Sequence, residues 1–265
     1  MNTRVHSDDP ADKDVGTVNA LDRGLALLDC FRGGGGVLGP TELAKRTGIP
    51  RPTVTRLAAT LAAHQWLQAE PAGDGYRLGP GIVALARDYL SSLDVRAAAR
   101  APMQHLADAT GGSVYLALRD GLHMVIVEAC RARSTMLSAR LDVGSRVPMP
   151  NSALGRAWLA AVGDGARQAV EAELAAHHGK DWPGLKSALD TALLQGAKGD
   201  GVYRSAGEFH REINSVAVAM RAPDGTVYVI NCGGPAYGFV KSRLQTVVAP
   251  ALLEMAHRVA NATGG

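Results

Sequence analysis

The stretch from Thr41 to Gly79 constrains the fold of this chain more than any other part of the sequence. Its first segment, Thr41–Thr47, mixes apolar and charged residues in the pattern of a short amphipathic helix, for which Thr41 is a candidate N-cap. Gly48 can adopt the left-handed conformation that ends such a helix. We therefore expect a first helix, a sharp turn, and a second helix that begins at Arg51 with a proline in its first turn.

The second predicted helix has one apolar side and one polar, basic side. Apolar residues recur on one side at the spacing i, i+3, i+4 and i+7, namely Val54, Leu57, Ala58 and Leu61. The other side carries the candidate DNA-contacting residues Arg51, Thr53, Thr55, Arg56 and Thr60. Arginine suits a guanine edge or a phosphate, and threonine suits a phosphate or a thymine methyl group. This pattern predicts a recognition helix, which reads the major groove of DNA.

Two short strands are predicted after this helix, at Trp66–Ala69 and Tyr76–Leu78, with the turn Pro71–Gly75 between them. Such a hairpin is a β-wing, and Arg77 is placed to touch the DNA backbone. The alternative is a helical hairpin beside a β-hairpin with no role in nucleic-acid binding. Because the wing accompanies an outer face of arginine and threonine, the sequence favours a winged helix-turn-helix.

Length and composition indicate two globular domains, since the chain has 265 residues of which 46% are hydrophobic and 20% are charged. The net charge of +3 is too small to indicate nucleic-acid binding by itself. Cys30, Cys130 and Cys232 lie far apart and show no zinc-ligand spacing, so we expect no metal, no cofactor and no disulfide. The absence of a signal region and of a long apolar run predicts a cytoplasmic protein without membrane contact.

We divide the chain into a disordered tail (1–16), the winged helix-turn-helix domain (17–79), a linker helix (80–94) and a second domain (95–265). The first helix of the winged domain is expected to open at Asn19, with Asp22 completing a partial capping box. Its buried stripe is predicted to be Leu21, Leu25 and Leu28. The linker helix has an apolar side with little to cover in so small a domain, which favours a second subunit as its partner.

In the second domain the apolar pattern changes from helical to strand-like after a helix predicted at Val95–Thr110. The predicted strands are Ser113–Arg119, His123–Glu128, Thr135–Leu141, Ser215–Arg221 and Val227–Cys232. The predicted helices are Asn151–Val162, Ala166–His177, Leu185–Gln195 and Lys241–Asn261, and Gly144–Met149 is predicted to be a loop. Strands that are mostly linked as hairpins and grouped around helices predict an α+β domain with an antiparallel sheet.

The start of the helix after Pro150 is a candidate ligand site. Asn151 or Ser152 can cap it, and the small residues Ala153 and Gly155 leave backbone N–H groups accessible. A helix N-terminus attracts a carboxylate, although most helix starts are simply capped and bind nothing. For catalysis the sequence offers no GxSxG or HExxH motif and no paired carboxylates, so we expect no enzyme.

The order of these segments resembles the IclR family of bacterial transcriptional regulators over nearly the whole range from Val18 to Ala260. The N-terminal resemblance is carried by LDRGLALL, TELAKRTGIPRPTVTRL and YRLGPGI. The C-terminal resemblance is carried by GGSVYLALRDG, DVGSRVPMPNSALGRAWLA, EINSVAVAM and APDGTVYVINCGGPA. The resemblance implies a winged helix-turn-helix joined by a linker helix to a GAF-like or profilin-like antiparallel sheet domain. It also implies a small effector and assembly into dimers or tetramers.

The resemblance further implies a pocket between the sheet and the helix that starts at the SALG segment. Its apolar wall would be Ala139, Val147 and Ile213, its anion-holding backbone Ala153 and Leu154, and its polar contacts Ser205, Ser215 and Asn231 with Gly233 beside them. Many members have cysteine at the position of Ser215, serine at 231 and 233, and an acid near 205. Effector identity therefore does not carry over, and we expect a small aliphatic or aromatic carboxylate.

The sequence thus predicts a regulator that binds a double-stranded DNA operator under the control of a small organic acid. One alternative is a GAF-like small-molecule-binding protein or enzyme whose DNA-binding domain is not needed. A second alternative is a winged helix used only for protein contacts.

Overall fold

The computed structural model describes residues 18–34, 36–71, 73–132 and 141–264. The predicted tail at 1–16, Ala139, and the predicted strand Thr135–Leu141 apart from Leu141 lie outside these ranges. The chain divides into two compact units, Met1–Tyr89 and Leu90–Gly265, so the division falls inside the predicted linker. No helix in the described ranges combines the length and the apolar composition that a membrane span requires.

The first unit contains three helices followed by a two-stranded antiparallel sheet. Its elements are α1 (Asn19–Asp29), α2 (Pro40–Thr47), α3 (Arg51–Ala63), β1 (Leu67–Ala69) and β2 (Tyr76–Leu78). Gly48 ends α2 with a φ of 70°, as predicted. Strand β1 pairs with β2 in the register Leu67 opposite Leu78. The helix-turn-helix and the wing are therefore confirmed.

Both predicted N-caps in this unit are wrong. Helix α2 begins at Pro40 with Gly39 in the cap position, so Thr41 lies inside the first turn. Helix α1 begins at Asn19 after Val18, and no side chain caps it, so the predicted capping box is absent. In both cases the polar residue that suggested a cap lies inside the helix, and an apolar residue or glycine occupies the cap position.

The predicted buried stripe of α1 is wrong at Leu21 and Leu25, which are 62% and 47% exposed. Its third member, Leu28, is partly buried against the core, and Leu27 is fully buried. Helix α1 is apolar on more than one side, and the small core of this unit covers only the side that carries Leu27. The residues of that core are Leu27, Phe31, Leu38, Leu43, Ile49, Val54, Ala58 and Leu67.

The linker is the helix α4 (Gly81–Ser91), and it contains no buried residue. Val83, Leu85 and Tyr89 are 69%, 50% and 49% exposed. The apolar side of this helix is therefore uncovered in the single chain.

The second unit is built on a six-stranded antiparallel sheet with the strand order β5-β4-β3-β8-β7-β6. The strands are β3 (Ser113–Asp120), β4 (His123–Arg131), β5 (Arg146–Pro148), β6 (Tyr203–Ala206), β7 (Ile213–Arg221) and β8 (Val227–Pro235). The helices are α5 (Asp94–Thr110), α6 (Ala153–Ala161), α7 (Asp164–His178), α8 (Trp182–Lys198), α9 (Lys241–Arg243) and α10 (Ala249–Thr263), with a 3-10 turn at Gly179–Asp181 and a π-helical turn at Leu244–Val248. This arrangement confirms the predicted α+β class.

Helices cover both faces of the sheet and form two separate cores with it. Along β3 the side chains alternate, so that Val114 and Leu116 pack in the core that includes residues of α5 and α10. Tyr115 and Ala117 pack in the other core, which includes residues of α6, α7 and α8. The second face therefore positions the start of α6 over the middle of the sheet.

The sequence pattern does not identify the two edge strands of this sheet, β5 and β6. Residues 146–148 form β5, which pairs with β4, where Gly144–Met149 was predicted to be a loop. Strand β6 pairs with β7 and was not predicted at all. Strands of three or four residues show too few alternations for a period of two to be recognised.

Candidate functional site

A cavity of about 220 Å³ lies between the sheet and the start of α6. Three strands form its sheet wall, with Ser113 and Tyr115 from β3, Ile213 and Ser215 from β7, and Asn231 and Gly233 from β8. Val147, Ser152, Ala153 and Leu154 line it from β5 and the start of α6, and Leu141, Phe209, His210 and Gly234 complete the lining. The wall is mostly apolar, which suits the carbon skeleton of a small organic molecule.

The start of α6 presents two unused backbone donors to this cavity. The Ser152 hydroxyl accepts from Gly155 N at 3.1 Å, and the Ser152 carbonyl accepts from Arg156 N. Ala153 and Leu154 are 1% and 3% exposed, and their N–H groups find no acceptor in the described parts of the chain. Unpaired N–H groups at a helix N-terminus favour an anion, here in a site shielded from water.

Gly155 has a different role from the one predicted for it. Its N–H is used by the Ser152 cap, so it is not accessible to a ligand. A Cβ atom at this position would lie 2.2 Å from Met149 Cα. Glycine is required because the first turn of α6 packs directly against the backbone of the preceding segment.

The sheet wall contributes polar side chains in adjacent, paired positions. Ser113 and Ser215 both lie opposite Gly233, on either side of β8, and Tyr115 lies opposite Asn231. Ser113 Oγ is buried without a hydrogen-bond partner. Asn231 is 6% exposed, and within the described ranges its amide group makes no hydrogen bond.

An ion pair between a buried arginine and a half-exposed glutamate fixes the loop that carries Phe209 and His210 beside the cavity. Arg156, which is 2% exposed, donates two hydrogen bonds to the carboxylate of Glu208. Burial raises the pKa of the Glu208 carboxyl. The guanidinium of Arg156 and the N–H of Ala206 together lower this pKa by more than burial raises it, so it lies below its usual value. The pair is therefore ionised at neutral pH, and it holds the loop against α6.

Seven of the nine effector-site residues expected from the family resemblance line the cavity, namely Val147, Ala153, Leu154, Ile213, Ser215, Asn231 and Gly233. Ser205 does not line the cavity. Its hydroxyl donates to the carbonyl of Asn151 at 2.9 Å. Ala139 lies outside the described residues.

The sequence reasoning missed Ser113, Tyr115, Phe209 and His210 as lining residues. The alternation along β3 carried enough signal to place Ser113 and Tyr115 on the face of Ala117. The loop that carries Phe209 and His210 has no periodic pattern, and only the fold brings it to the cavity.

The cysteines offer no reactive or metal-binding centre in the described part of the chain. Burial raises the pKa of the Cys232 thiol to about 12. Burial also raises the pKa of Cys130, and the nearby Glu128 carboxylate adds to this effect. No three His, Cys, Asp or Glu side chains of the described residues are grouped closely enough to hold a metal ion.

The outer face of α3 carries the predicted DNA-contacting residues. Arg51, Thr55, Arg56 and Thr60 are exposed, and Thr53 is half-buried. The Arg56 guanidinium has no partner among the described residues, whereas Arg51 lies 3.4 Å from Asp74 in the wing. Arg77 on β2 is exposed and lies 3.3 Å from Glu70. The recognition face therefore presents one free arginine and two that are loosely paired.

Both units match known families. Residues 20–71 match the family described as the IclR helix-turn-helix domain, and residues 87–261 match the family described as bacterial transcriptional regulator IclR, C-terminal. The chain is 30% identical over 259 residues to the HTH-type transcriptional regulator TsaQ1/TsaQ2 of Comamonas testosteroni, covering 96% of this chain and 92% of that protein.

Solved structures agree with the sequence relatives. An IclR family transcriptional regulator from Brucella abortus superimposes with a TM-score of 0.86 at 36% identity, covering 94% of each chain. An IclR homologue from Microbacterium hydrocarbonoxydans in complex with 4-hydroxybenzoate has a TM-score of 0.71 at 20% identity, covering 91% of this chain and 98% of that one. Neither of these names, nor that of the Comamonas relative, describes an enzyme. The chain therefore belongs to the IclR family and is a DNA-binding transcriptional regulator.

Proposed function

We propose that a small organic acid, bound in the cavity beside α6, controls operator binding by this regulator. The observation that carries the proposal is the pair of buried N–H groups at Ala153 and Leu154, which have no acceptor among the described residues. A carboxylate supplies the acceptors that these donors lack, and the partial positive charge of the helix start favours it. The apolar lining accommodates an aliphatic or aromatic body.

The DNA-reading residues of this proposal are Arg51, Thr53, Thr55, Arg56 and Thr60 on α3, together with Arg77 on the wing. Arg56 is the strongest candidate for base contact, because its exposed guanidinium forms no competing bond within the described ranges. The hydroxyls of Thr55 and Thr60 donate to carbonyls of their own helix, so they are left to act as acceptors or as methyl contacts. As a regulator of bacterial genes, the protein acts in the cytoplasm.

The operator is read by a dimer in this proposal. The uncovered apolar side chains Val83, Leu85 and Tyr89 of α4 supply a surface for a second copy, and so do Leu21 and Leu25 of α1. Two winged helices then read half-sites that are about 10 base pairs, or a multiple of this, apart. The effector shifts the dimer between states only if it binds one of them more tightly than the other.

A relative supports the chemistry of the effector. The Microbacterium homologue binds 4-hydroxybenzoate, a small aromatic carboxylate. The present chain has a cavity of suitable size and an anion-binding helix start, and we extend the carboxylate class to it on these grounds.

A thermal-shift comparison of benzoate with benzamide tests the proposal. The two molecules share shape and size, but only benzoate carries the negative charge that the helix start favours. A ligand present at about 100 times its dissociation constant stabilises the folded state by about 2.7 kcal/mol, which is a measurable shift. We expect benzoate or an aliphatic acid of similar size to stabilise the protein and the matching amide not to do so. Equal stabilisation by acid and amide, or none by any acid, would contradict a carboxylate effector.

A further inference from the structure

Two buried polar side chains of the sheet wall have no partner in the described structure. Ser113 is 1% exposed, and its Oγ atom makes no hydrogen bond. Asn231 is 6% exposed, and no described group bonds to its amide. Both side chains line the cavity.

The other polar side chains of this unit that are more than nine-tenths buried have partners, whereas the partly buried side chains of Arg96, His123, Arg131, Asn151 and Arg204 each leave one atom unpaired among the described residues. Thr110 donates to Leu106 O, Ser152 donates to Pro148 O, and Ser205 donates to Asn151 O. The Glu128 carboxylate accepts from Arg96 and Arg100, both on α5. Because buried polar groups are normally paired, two unpaired and almost fully buried side chains in the wall of one cavity require an explanation.

Ser113 and Asn231 are close enough to bind the same ligand atom. Ser113 lies opposite Gly233 across the β3–β8 pair, and Asn231 is two residues away on the same face of β8. Such diagonal neighbours on an antiparallel pair are about 7–8 Å apart at the backbone, so a single oxygen atom between them lies within reach of both side chains. Gly233 adds no side chain to the space between them. The neighbouring Tyr115 hydroxyl is engaged with Arg131, and it does not compete for this position.

The hydrogen-bonding groups of Ser113 and Asn231 determine which ligand group fits between them. A serine hydroxyl donates one hydrogen bond and can accept two, and an asparagine amide offers both a carbonyl acceptor and NH₂ donors. A ligand hydroxyl satisfies both residues at once, since it accepts from one and donates to the other. The sheet wall faces the start of α6, so this group lies across the cavity from the carboxylate.

We propose that Ser113 and Asn231 form a second polar subsite that binds a hydroxyl group of the effector, which makes the effector a hydroxycarboxylate. The inference rests on the proposed function, because the acid group of the same molecule is held by Ala153 and Leu154. It adds the requirement that the effector carries a hydroxyl group at the end opposite its carboxylate. Ser113 is the residue that sets the preference for this hydroxyl group.

Calorimetric titration with benzoate, 3-hydroxybenzoate and 4-hydroxybenzoate tests the subsite. The proteins compared are the wild type, Ser113→Ala and the matched control Ser205→Ala, which removes a buried serine hydroxyl from the edge strand β6 of the same sheet, outside the cavity. At least one hydroxybenzoate should bind the wild type about tenfold more tightly than benzoate does, the size expected of a well-formed pair of hydrogen bonds. Ser113→Ala should reduce this advantage by about fivefold. Ser205→Ala should retain the advantage.

The melting temperatures of the unliganded proteins provide a second readout. Ser113→Ala removes a hydroxyl without a partner, so its melting temperature should equal or exceed that of the wild type. Ser205→Ala removes a hydrogen bond, and its melting temperature should fall. A fall of the same size in Ser113→Ala would show that this hydroxyl has a structural partner and would overturn the proposal.

The outcomes separate the subsite from the carboxylate site. If benzoate and both hydroxybenzoates bind the wild type equally well, or if Ser113→Ala keeps the full preference for the hydroxylated acid, the subsite is refuted and the carboxylate effector stands. If none of the three acids binds, an aromatic carboxylate effector is refuted, and the hydroxybenzoate subsite is refuted with it.

Discussion

The guanidinium of Arg156 lies 2.6 and 2.7 Å from the two carboxylate oxygens of Glu208. The same arginine donates to Arg204 O at 2.6 Å and to Pro150 O at 3.3 Å. It therefore ties α6 to β6 and to the loop that contributes Phe209 and His210 to the cavity. The two partners differ in environment, because Arg156 is 2% exposed at its side chain and Glu208 is 41% exposed.

This difference predicts unequal effects of removing either partner. Arg156→Met leaves two backbone carbonyls without their donor in a buried site, and it should lower the free energy of unfolding by about 2–4 kcal/mol. Glu208→Gln leaves a half-exposed amide that water can reach, and it should cost about 1 kcal/mol or less. Urea denaturation of both variants measures the two values. Equal losses would show that the ion pair itself, and not the carbonyl contacts of Arg156, dominates the stability of this region.

The same pair predicts a pH dependence on the acid side. The pKa of Glu208 in the folded protein lies below the usual value, because the favourable effects of Arg156 and the Ala206 N–H outweigh burial. A carboxyl group with a lowered pKa stabilises the folded state above its unfolded pKa of about 4.3, and this contribution is lost as the pH falls through the folded value. The difference in unfolding free energy between the wild type and Glu208→Gln should therefore be constant from pH 7 to about 5 and shrink below about pH 4.

Urea denaturation at a series of pH values checks this, with Glu254→Gln on the exposed side of α10 as the control. Glu254 lies 3.8 Å from Arg258 on the surface, and its substitution controls for the loss of an exposed carboxylate. A difference for Glu208→Gln that does not shrink at low pH would contradict the assignment of a lowered pKa.

Much of the fold follows from the sequence, and the reasons differ by element. Gly48, followed by Pro50 and a proline in the first turn of α3, specifies a turn and a new helix through local conformational preferences alone. The long strands β3, β7 and β8 are largely apolar runs of eight or nine residues bounded by turn residues, and this pattern predicts buried strands. The side of α1 that is buried was not predictable in this way, because Leu21, Leu25 and Leu27 are equally apolar and only tertiary packing distinguishes them.

The cavity was predictable only in part. The capped helix start at Ser152 is a local feature, and the family resemblance placed residues of β7 and β8 near it. Ser113 comes next to Gly233 only through the register of β3 against β8, which pairs residues far apart in the chain. The position of Phe209 depends on the Arg156–Glu208 ion pair, for which no sequence pattern exists.

The exposed guanidinium of Arg56 predicts a specific role in DNA recognition. Arg56→Ala should weaken binding to the operator selected from a random duplex library by about 1–3 kcal/mol if the side chain contacts a guanine, and it should relax the sequence preference at one position. Arg258→Ala is the matched control, since it removes the same charge from an exposed site in the other unit. Fluorescence anisotropy at fixed salt measures both. Unchanged affinity of Arg56→Ala for the selected duplex would remove this residue from the recognition face.

The N–H group of Ala153 can be removed without adding charge. Ala153→Pro replaces the first residue of α6, a position where proline is tolerated in helices, and the preceding Ser152 has the extended backbone conformation (φ −107°, ψ 148°) that proline requires of its neighbour. The variant should lose about 1–2 kcal/mol of carboxylate binding, because one of two charge-assisted hydrogen bonds is gone.

The control for this experiment is Ala153→Gly, which keeps the N–H group and should retain more of the affinity. DNA binding of both variants verifies that they are folded. If Ala153→Pro is folded and binds the same acid as tightly as Ala153→Gly does, the helix start is not the carboxylate site.

The uncovered apolar side of α4 predicts that the protein self-associates. Leu85 and Tyr89 are half-exposed in the single chain, and replacing both by glutamate introduces two charges into the proposed subunit interface. Light scattering at micromolar concentration should show the wild type as a dimer or tetramer and Leu85→Glu/Tyr89→Glu as a smaller species. Arg87→Glu, at an exposed position of the same helix, is the control for added negative charge and should leave the wild-type mass unchanged. Loss of operator affinity in parallel with dissociation is expected, because each half-site alone provides only part of the binding free energy. A wild-type protein that is monomeric at this concentration would refute the role assigned to α4.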